Sequence, residues 1–217
     1  MVYLLHGYSG SYRDWPSHMN LRILADRYEV ILVCPDGGHA GWYLDSPVRP
    51  LSRYETHICG ELLPYIDDHY RTITGPEGRA ICGLSMGGHG AFLLLIKYPQ
   101  LFCAAGSMSG VLDIRPFADK YELTLLLGSP DQFAERWRRE TCIERLPELQ
   151  RAAKGLLIDC GVADFTIDIN RQAHLRLLEL GIPHDYYERP GGHSWSYWTG
   201  ALESHLLFFK RYLQMTR

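Results

Sequence analysis

The segment Gly83-Leu84-Ser85-Met86-Gly87-Gly88 constrains the fold of this chain more than any other feature. It follows the apolar stretch Ala80-Ile81-Cys82 and leads into a helix-like stretch over 91–98. A strand that runs directly into a helix needs a sharp turn at the residue between them, and flanking glycines leave room for that turn and for close packing of the helix. In this context the Gly-x-Ser-x-Gly pattern predicts that Ser85 presents its hydroxyl as a nucleophile.

The order of apolar and amphipathic stretches predicts an α/β fold. Short runs rich in Val, Ile and Leu alternate with longer amphipathic stretches, as expected for parallel strands covered by helices on both faces of the sheet. The predicted strands are Val2–Leu5, Val30–Cys34, Arg79–Leu84, Phe102–Ser107, Leu156–Cys160 and His184–Glu188. The predicted helices are Met19–Tyr28, Arg53–Tyr70, Gly88–Tyr98, Ile167–Leu180 and Tyr197–Leu213.

The length of 217 residues suits a single domain that spans the whole chain, 1–217. Residues 113–154 interrupt the alternation because they are rich in charged side chains and contain three prolines. We interpret this segment as a helical insertion. An insertion at the carboxyl edge of a parallel sheet would overhang the place where ligands bind, as a cap. A plain surface excursion is the alternative.

The charge of the chain excludes several classes of partner. The formal net charge is -3, and no run of Lys or Arg is present, which argues against binding to nucleic acid or to an anionic membrane surface. No stretch reaches the ~18 to 20 apolar residues of a transmembrane helix, and the first residues do not resemble a signal peptide. We therefore expect a small-molecule substrate and a cytoplasmic rather than a secreted protein.

The cysteine pattern indicates free thiols. Of six cysteines, Cys34, Cys82 and Cys160 lie within or at the end of predicted strands. The other three, at 59, 103 and 142, lack the spacing of metal ligands, and a domain of this size does not depend on disulfides. We expect buried thiols, a reducing compartment, and no metal or other cofactor.

Two residues downstream of Ser85 can complete a catalytic triad. A serine hydroxyl needs a base to remove its proton and a carboxylate to orient that base. Asp164 follows the predicted strand 156–160, and His193 follows the strand that ends near Glu188. Both positions lie at the same sheet edge as Ser85, in the chain order Ser, Asp, His. The alternatives are that Asp164 only caps the next helix and that Asp168 is the acid.

Backbone amides that stabilise an oxyanion are predicted at two positions. One is the N–H of Met86, directly after the nucleophile, and the other is that of Tyr8 in the glycine-flanked loop after the first strand. A plain tight turn also explains those glycines. His6 is expected to hydrogen-bond this loop rather than to act in catalysis.

Five segments together resemble the esterase D family of α/β-hydrolases. They cover nearly the whole chain in the order of that family, and they are His6-Gly7-Tyr8-Ser9-Gly10, Pro35-Asp36-Gly37-Gly38, the Ser85 segment extended to His89-Gly90, Asp159-Cys160-Gly161 with Asp164, and Gly192-His193-Ser194-Trp195 with Tyr197-Trp198. The family includes tributyrin and acetyl esterases, feruloyl esterases, S-formylglutathione hydrolases and, more distantly, mycolyltransferases. The resemblance implies an α/β-hydrolase fold with Ser85 as nucleophile, His193 as base and Asp164 as acid. It also implies that the amides of Tyr8 and Met86 form the oxyanion hole.

The chain departs from this family at its beginning. Family members carry a pair of antiparallel strands before the strand that leads into His6, whereas this chain opens directly in that strand at Val2. The predicted strand Val30–Cys34 would then lie at the sheet edge. Because it is apolar and contains no Lys or Pro, we expect it to favour self-association into a homo-oligomer.

The residues together favour a serine carboxylesterase that hydrolyses short acyl or aryl esters. Loops after parallel strands converge on one edge, so Asp36, Trp42, Tyr43 and Trp195 are predicted to shape the substrate pocket. Aromatic residues in loops can also serve only as hydrophobic plugs. The alternatives are a feruloyl or acetyl-sugar esterase, an S-formylglutathione hydrolase, an acyltransferase and a non-catalytic binding protein.

Overall fold

The centre of the molecule is one sheet of six parallel strands in the order β2-β1-β3-β4-β5-β6. The computed structural model describes residues 1–152 and 154–214. The strands are β1 (Val2–Leu5), β2 (Leu32–Val33), β3 (Ala80–Leu84), β4 (Ala104–Met108), β5 (Gly155–Gly161) and β6 (Asp185–Arg189). Every pairing between neighbouring strands of this sheet is parallel. The predicted α/β-hydrolase fold is confirmed.

Helices of very different length connect the strands. The α-helices are α1 (Asp14–His18), α2 (Leu21–Tyr28), α3 (Tyr54–Thr56), α4 (Leu63–His69), α5 (Met86–Lys97), α6 (Leu123–Leu127), α7 (Ala134–Glu140), α8 (Cys142–Arg145), α9 (Ile167–Glu179) and α10 (Trp195–Phe209). A π-helical stretch, His57–Leu62, joins α3 to α4, so the predicted helix 53–70 is one segment of mixed winding. The last helix, α10, starts two residues earlier and ends four residues earlier than the predicted helix Tyr197–Leu213.

Alternate residues of the strands supply two separate apolar cores, one on each face of the sheet. In β1, Tyr3 and Leu5 belong to the core that contains the side chains of α5. Val2 and Leu4 belong to the core that contains α10 and Leu24 of α2. Side chains along a strand point alternately to opposite faces, so a continuous apolar run fits a strand that is buried on both sides. β1 is accordingly fully buried.

The segment between β4 and β5, predicted to be a cap, packs onto the body of the protein. It contains α6, α7, α8 and two short 3-10 helices, Arg115–Phe117 and Leu146–Arg151. Trp137 and Cys142 are buried in the same core as α5. The His89 ring of α5 donates from Nε2 to the carbonyl oxygen of Glu140, 2.8 Å away. Large parts of this segment therefore belong to the core of the domain.

The edge strand is shorter than predicted. Val30–Cys34 was expected to form a strand of five residues, but only Leu32 and Val33 pair with β1. The side chains of Val30, Leu32 and Cys34 pack against the core on the α10 side of the sheet. Two paired residues offer little backbone to another chain. Self-association through this edge stays a prediction.

Gly87 allows the first turn of α5 to lie directly on β1. A Cβ atom at this position would stand 2.6 Å from the carbonyl oxygens of both Leu5 and His6. At Gly200, on the exposed side of α10, a Cβ would meet nothing within 4 Å. The two glycines therefore differ in packing, although both are helical.

We expect Gly87→Ala and Gly200→Ala to change stability in opposite directions. The first substitution pushes a methyl group into backbone, which lowers the free energy of unfolding by about 1 to 3 kcal/mol. The second raises it by about 0.5 to 1 kcal/mol, because alanine favours a helix over glycine. Urea denaturation of both variants and the parent chain measures the difference. A stabilised Gly87→Ala variant would contradict the close packing of α5 on β1.

Candidate active site

Ser85 occupies a strained turn between β3 and α5. Its backbone has φ 54° and ψ -116°, a conformation that side-chain-bearing residues rarely adopt and that costs free energy. The Ser85 N–H donates to the carbonyl oxygen of Met108 at 2.9 Å, which ties the turn to β4. A Cβ on Gly83 would stand 2.6 Å from the Gly87 oxygen, so the chain can turn this sharply only with glycine there. The predicted turn is present at the predicted residue.

His193 lies between Ser85 and Asp164. The distance from His193 Nε2 to Ser85 Oγ is 2.9 Å, and the distances from His193 Nδ1 to the two Asp164 oxygens are 2.9 and 3.0 Å. A carboxylate accepts only, so the proton on the ring lies at Nδ1, and Nε2 accepts from the Ser85 hydroxyl. The three residues lie in segments that follow β3, β5 and β6. This arrangement can transfer the serine proton to the ring.

The Asp164 side chain is buried and ionised. Its Oδ1 accepts hydrogen bonds from the N–H and the hydroxyl of Thr166, both at 2.8 Å. Burial by itself opposes ionisation, but the hydrogen bonds from His193 and Thr166 outweigh it and hold the pKa of Asp164 below its ordinary value. Asp168, the alternative acid, is 82% exposed and contacts Arg171 at 3.5 Å. Of these two carboxylates, Asp164 is the one within hydrogen-bond distance of His193.

The loop after β1 lies directly against Ser85. A Cβ on Gly7 would stand 3.5 Å from the Ser85 Cβ. Within the described residues, the N–H of Tyr8 has no hydrogen-bond partner. Met86 is the first residue of α5, and the first N–H groups of a helix have no partner within the helix. Both amides predicted for an oxyanion hole are therefore close to Ser85 along the chain or in space, and their role stays a prediction.

His6 holds the loop after β1 to the loop after β2. Its Nδ1–H donates to the Gly7 carbonyl oxygen at 2.8 Å, and its Nε2 accepts from the Gly37 N–H at 2.7 Å. The ring is fully buried. These contacts organise the backbone next to Ser85, and the ring makes no hydrogen bond to the triad among the described residues.

The Ser85 side chain faces a cavity of about 330 Å³. Trp42 and Trp195, both predicted to shape the pocket, line it. Six of its fourteen lining residues are Tyr, Trp or Phe, one is a carboxylate, and none is a lysine or arginine. The lining residues are Gly7, Tyr8, Ser9, Gly10, Asp14, Trp42, Leu84, Ser85, Val111, Tyr121, Phe165, His193, Trp195 and Trp198.

Asp36 and Tyr43 do not line this cavity, in contrast to the prediction. Asp36 Oδ1 accepts from the Gly38 N–H at 2.7 Å, which closes a local turn. The Tyr43 hydroxyl donates to the His6 carbonyl oxygen at 3.1 Å, and its ring fills the space next to Gly90. These hydrogen bonds hold both side chains in the loops behind the cavity and stabilise those loops.

Several lining residues were not predicted as pocket residues. Phe165 and Trp198 contact the His193 ring, with centroid distances of 4.5 and 4.9 Å. A signal existed for both, since Phe165 directly follows Asp164 and Trp198 lies one helical turn after Trp195. Tyr121 comes from the segment between β4 and β5, and its carbonyl oxygen accepts from the Trp42 indole at 3.0 Å. No local pattern marks Tyr121, because its position depends on a contact far along the chain.

The cysteines are free, and burial keeps them protonated. All six are unpaired. Cys34 is only half-buried, in contrast to the prediction for that position, yet burial still raises its pKa to about 12. Residues 1–152 and 154–214 contain no group of three or more His, Cys, Asp or Glu side chains that could bind a metal ion. No helix in that part of the chain is long and apolar enough to cross a bilayer.

These observations define the class of protein, an α/β-hydrolase fold with a Ser-His-Asp hydrogen-bond chain at the carboxyl edge of its sheet. The chain belongs to the esterase family whose model is described as "Putative esterase", which matches residues 1–209. The predicted resemblance to esterases of the esterase D type is thereby confirmed.

Three known proteins show how similar the chain is to its relatives. An esterase of Mycobacterium tuberculosis is 32% identical over 223 residues, which cover 89% of this chain and 48% of that protein. The chain therefore spans about half the length of this relative. An acetyl esterase of Caldicellulosiruptor saccharolyticus is 27% identical, with coverage of 91% and 78%. The solved structure of a ferulic acid esterase has a TM-score of 0.81 and 30% identity, with coverage of 98% and 85%.

The pKa of Asp164 predicts how its contribution to stability depends on pH. A carboxylate whose pKa is lower in the folded than in the unfolded chain stabilises the fold above its unfolded pKa, roughly 3.9 for aspartate. That contribution is lost as the pH falls through the folded value. We expect Asp164→Asn to lower the free energy of unfolding at neutral pH and the deficit to shrink below about pH 4. Denaturant titrations across this pH range measure it, and a deficit that does not change with pH would contradict the assignment.

Proposed function

We propose that this protein is a serine carboxylesterase that cleaves uncharged short acyl or aryl esters through an acyl-enzyme on Ser85. The observation that carries the proposal is the hydrogen-bond chain from Asp164 through His193 to Ser85, with distances near 2.9 Å, beside an aromatic cavity. Membership of the esterase family supports the same reaction class.

The first half of the reaction forms the acyl-enzyme. His193 Nε2 takes the proton of the Ser85 hydroxyl while Oγ attacks the carbonyl carbon of the ester. The carbonyl oxygen becomes an oxyanion, to which the N–H groups of Tyr8 and Met86 donate. Asp164 stabilises the positively charged ring. When the tetrahedral intermediate collapses, the bond to the leaving oxygen breaks, and His193 returns its proton to the departing alcohol.

The second half regenerates the enzyme. A water molecule takes the place of the alcohol, and His193 removes its proton as the water oxygen attacks the acyl carbon. The bond to Ser85 Oγ then breaks, the proton returns to that oxygen, and the carboxylic acid leaves. The same two steps with an alcohol instead of water would give acyl transfer. Product analysis with competing alcohols separates the two outcomes.

The cavity walls support an uncharged substrate. Six aromatic side chains offer apolar surface to an acyl or aryl group, and they are Tyr8, Trp42, Tyr121, Phe165, Trp195 and Trp198. Asp14 adds negative charge, and no lining lysine or arginine balances it. Acetyl and feruloyl groups carry no charge, and two of the relatives are named acetyl esterase and ferulic acid esterase. The formyl group of S-formylglutathione is also uncharged, but its glutathione leaving group carries a net negative charge, which Asp14 disfavours.

Replacing Ser85 by alanine tests the proposed nucleophile. We expect Ser85→Ala to retain at most a few per cent of the parent's ester hydrolysis, because the nucleophilic hydroxyl is absent. Its melting temperature should stay the same, because the substitution deletes a single oxygen. A fluorophosphonate probe should label the parent protein and not the variant, as mass spectrometry can show. A parent protein that neither hydrolyses esters nor takes up the probe would instead favour a non-catalytic binding protein.

Asp14 offers a test of substrate charge. The p-nitrophenyl esters of isocaproic acid and of succinic acid have acyl groups of similar size, but the second ends in a carboxylate. We expect kcat/KM to favour the uncharged ester by on the order of tenfold in the parent protein, because like charges repel. In Asp14→Asn this preference should shrink, and salt should reduce it in the parent. An unchanged preference in Asp14→Asn would show that Asp14 does not select substrates.

A further inference from the structure

Asp159 is a buried carboxylate outside the triad that binds two side chains from distant parts of the sequence. It lies on β5 and is fully buried. Its Oδ2 accepts from the Arg189 guanidinium, and its Oδ1 accepts from the Tyr197 hydroxyl. A buried charge is costly unless it is paired and hydrogen-bonded, and here both carboxylate oxygens have such partners.

The two partners of Asp159 stand on either side of the loop that carries His193. Arg189 is the last residue of β6, and Tyr197 lies in the first turn of α10. We call residues 190–194, which connect β6 to α10, the histidine loop. The loop folds back over the Tyr197 ring, since a Cβ on Gly191, where φ is 139°, would stand 2.6 Å from Tyr197 Cδ2. One carboxylate thus holds both ends of the histidine loop.

The surroundings of Asp159 indicate that Arg189 supplies its balancing charge. His205 is the other basic group nearby, with Nε2 at 3.8 Å from Asp159 Oδ2. Burial, followed by the charge of Arg189, lowers the pKa of His205 to about 3, so His205 is neutral. A second guanidinium nitrogen of Arg189 donates to the Ser204 hydroxyl at 3.2 Å, which ties Arg189 to α10.

Backbone hydrogen bonds tie the histidine loop to the loop that carries Asp164. The Val162 N–H donates to the Arg189 carbonyl oxygen, and the Ala163 N–H donates to the Gly191 carbonyl oxygen, both at 2.9 Å. The histidine loop is therefore attached at its start to the Asp164 side of the site. At its far end, the Asp159–Tyr197 contact is a polar link between α10 and β5.

We propose that Asp159 is a positioning residue that holds the histidine loop through Arg189 and Tyr197 and so keeps His193 in contact with Ser85 and Asp164. This inference rests on the proposed function of the triad. Asp159 touches neither the substrate cavity nor the reacting atoms. It acts through His193, because a shift of the loop lengthens two hydrogen bonds that proton transfer requires at about 2.9 Å.

Tyr197→Phe tests the proposal, with Tyr186→Phe as its matched control. Both substitutions remove a tyrosine hydroxyl that donates to a carboxylate, but the Tyr186 hydroxyl donates to Glu188 at 2.7 Å, an exposed contact within β6 that does not span the histidine loop. We expect kcat of Tyr197→Phe to fall by roughly 10- to 100-fold with KM changed less than about twofold, because small misplacements of catalytic groups cost rate rather than binding. Tyr186→Phe should match the parent in both constants.

A spectroscopic measurement keeps the proposal separate from the proposed function. A histidine Nδ1–H that donates to a buried carboxylate gives a far-downfield proton resonance, which requires no turnover. We expect this His193 resonance to broaden or disappear in Tyr197→Phe and to persist in Tyr186→Phe. Its persistence in Tyr197→Phe together with an unchanged kcat would overturn the proposal. If the parent protein has no esterase activity, the proposed function fails, and the resonance alone decides the role of Asp159.

Asp159→Asn provides a second variant. The amide has nearly the same shape as the carboxylate, but it carries no charge to pair with Arg189 and can accept at only one position. We expect the same loss of kcat and of the His193 resonance as in Tyr197→Phe, or a greater one. The kcat of the double variant should then be little lower than that of Asp159→Asn alone, because both substitutions disrupt the same Asp159–Tyr197 contact. Losses that multiply would show that Tyr197 and Asp159 act independently, which contradicts the proposal.

Discussion

The positive φ of Ser85 is the constraint on which the rest of the site depends. A residue with a side chain adopts this conformation only where surrounding contacts enforce it, and here backbone approaches of β3, α5 and β1 enforce it. Those approaches are closer than any Cβ permits at Gly83 and Gly87. The two glycines therefore set the position of the Ser85 hydroxyl, and the hydroxyl in turn sets where a histidine must stand to act as its base.

A parallel sheet explains how residues far apart in the sequence meet at this hydroxyl. Parallel strands all end at the same edge, so the loops after β3, β5 and β6 converge there. β4 and β5 lie between β3 and β6 in the sheet, and the segments that follow β5 and β6 extend back toward Ser85. Buried polar contacts give those segments a defined shape. Asp164 is held by Thr166, and both ends of the histidine loop are bonded to Asp159.

The sequence predicts those parts of the molecule that depend on local pattern. Strands buried on both faces appear as apolar runs, as in β3 and β5, and Ser85 and Asp164 follow those runs, so their positions could be expected. His193 follows β6, a partly exposed edge strand, and the glycines and the tryptophan around it mark that residue. The extent of β2 could not be predicted, because the pairing of an edge strand depends on a single neighbouring strand. For a related reason, Tyr43 was wrongly predicted to line the cavity, and Tyr121, which lines it, was not predicted. Whether a loop aromatic faces a cavity or a buried glycine depends on contacts that no short stretch of sequence contains.

The residues that local sequence pattern predicts and those that it does not predict have different roles in the site. The groups that would make and break bonds come from strand ends and are predictable, whereas the walls that would select a substrate come from a loop, a helix N-terminus and the segment between β4 and β5. Tyr121 and Asp14 can change without disturbing the sheet, but Gly83 and Gly87 beside Ser85 cannot. Relatives with one reaction class can therefore differ in acyl preference, and under the proposed function the cavity walls rather than the triad would select the substrate.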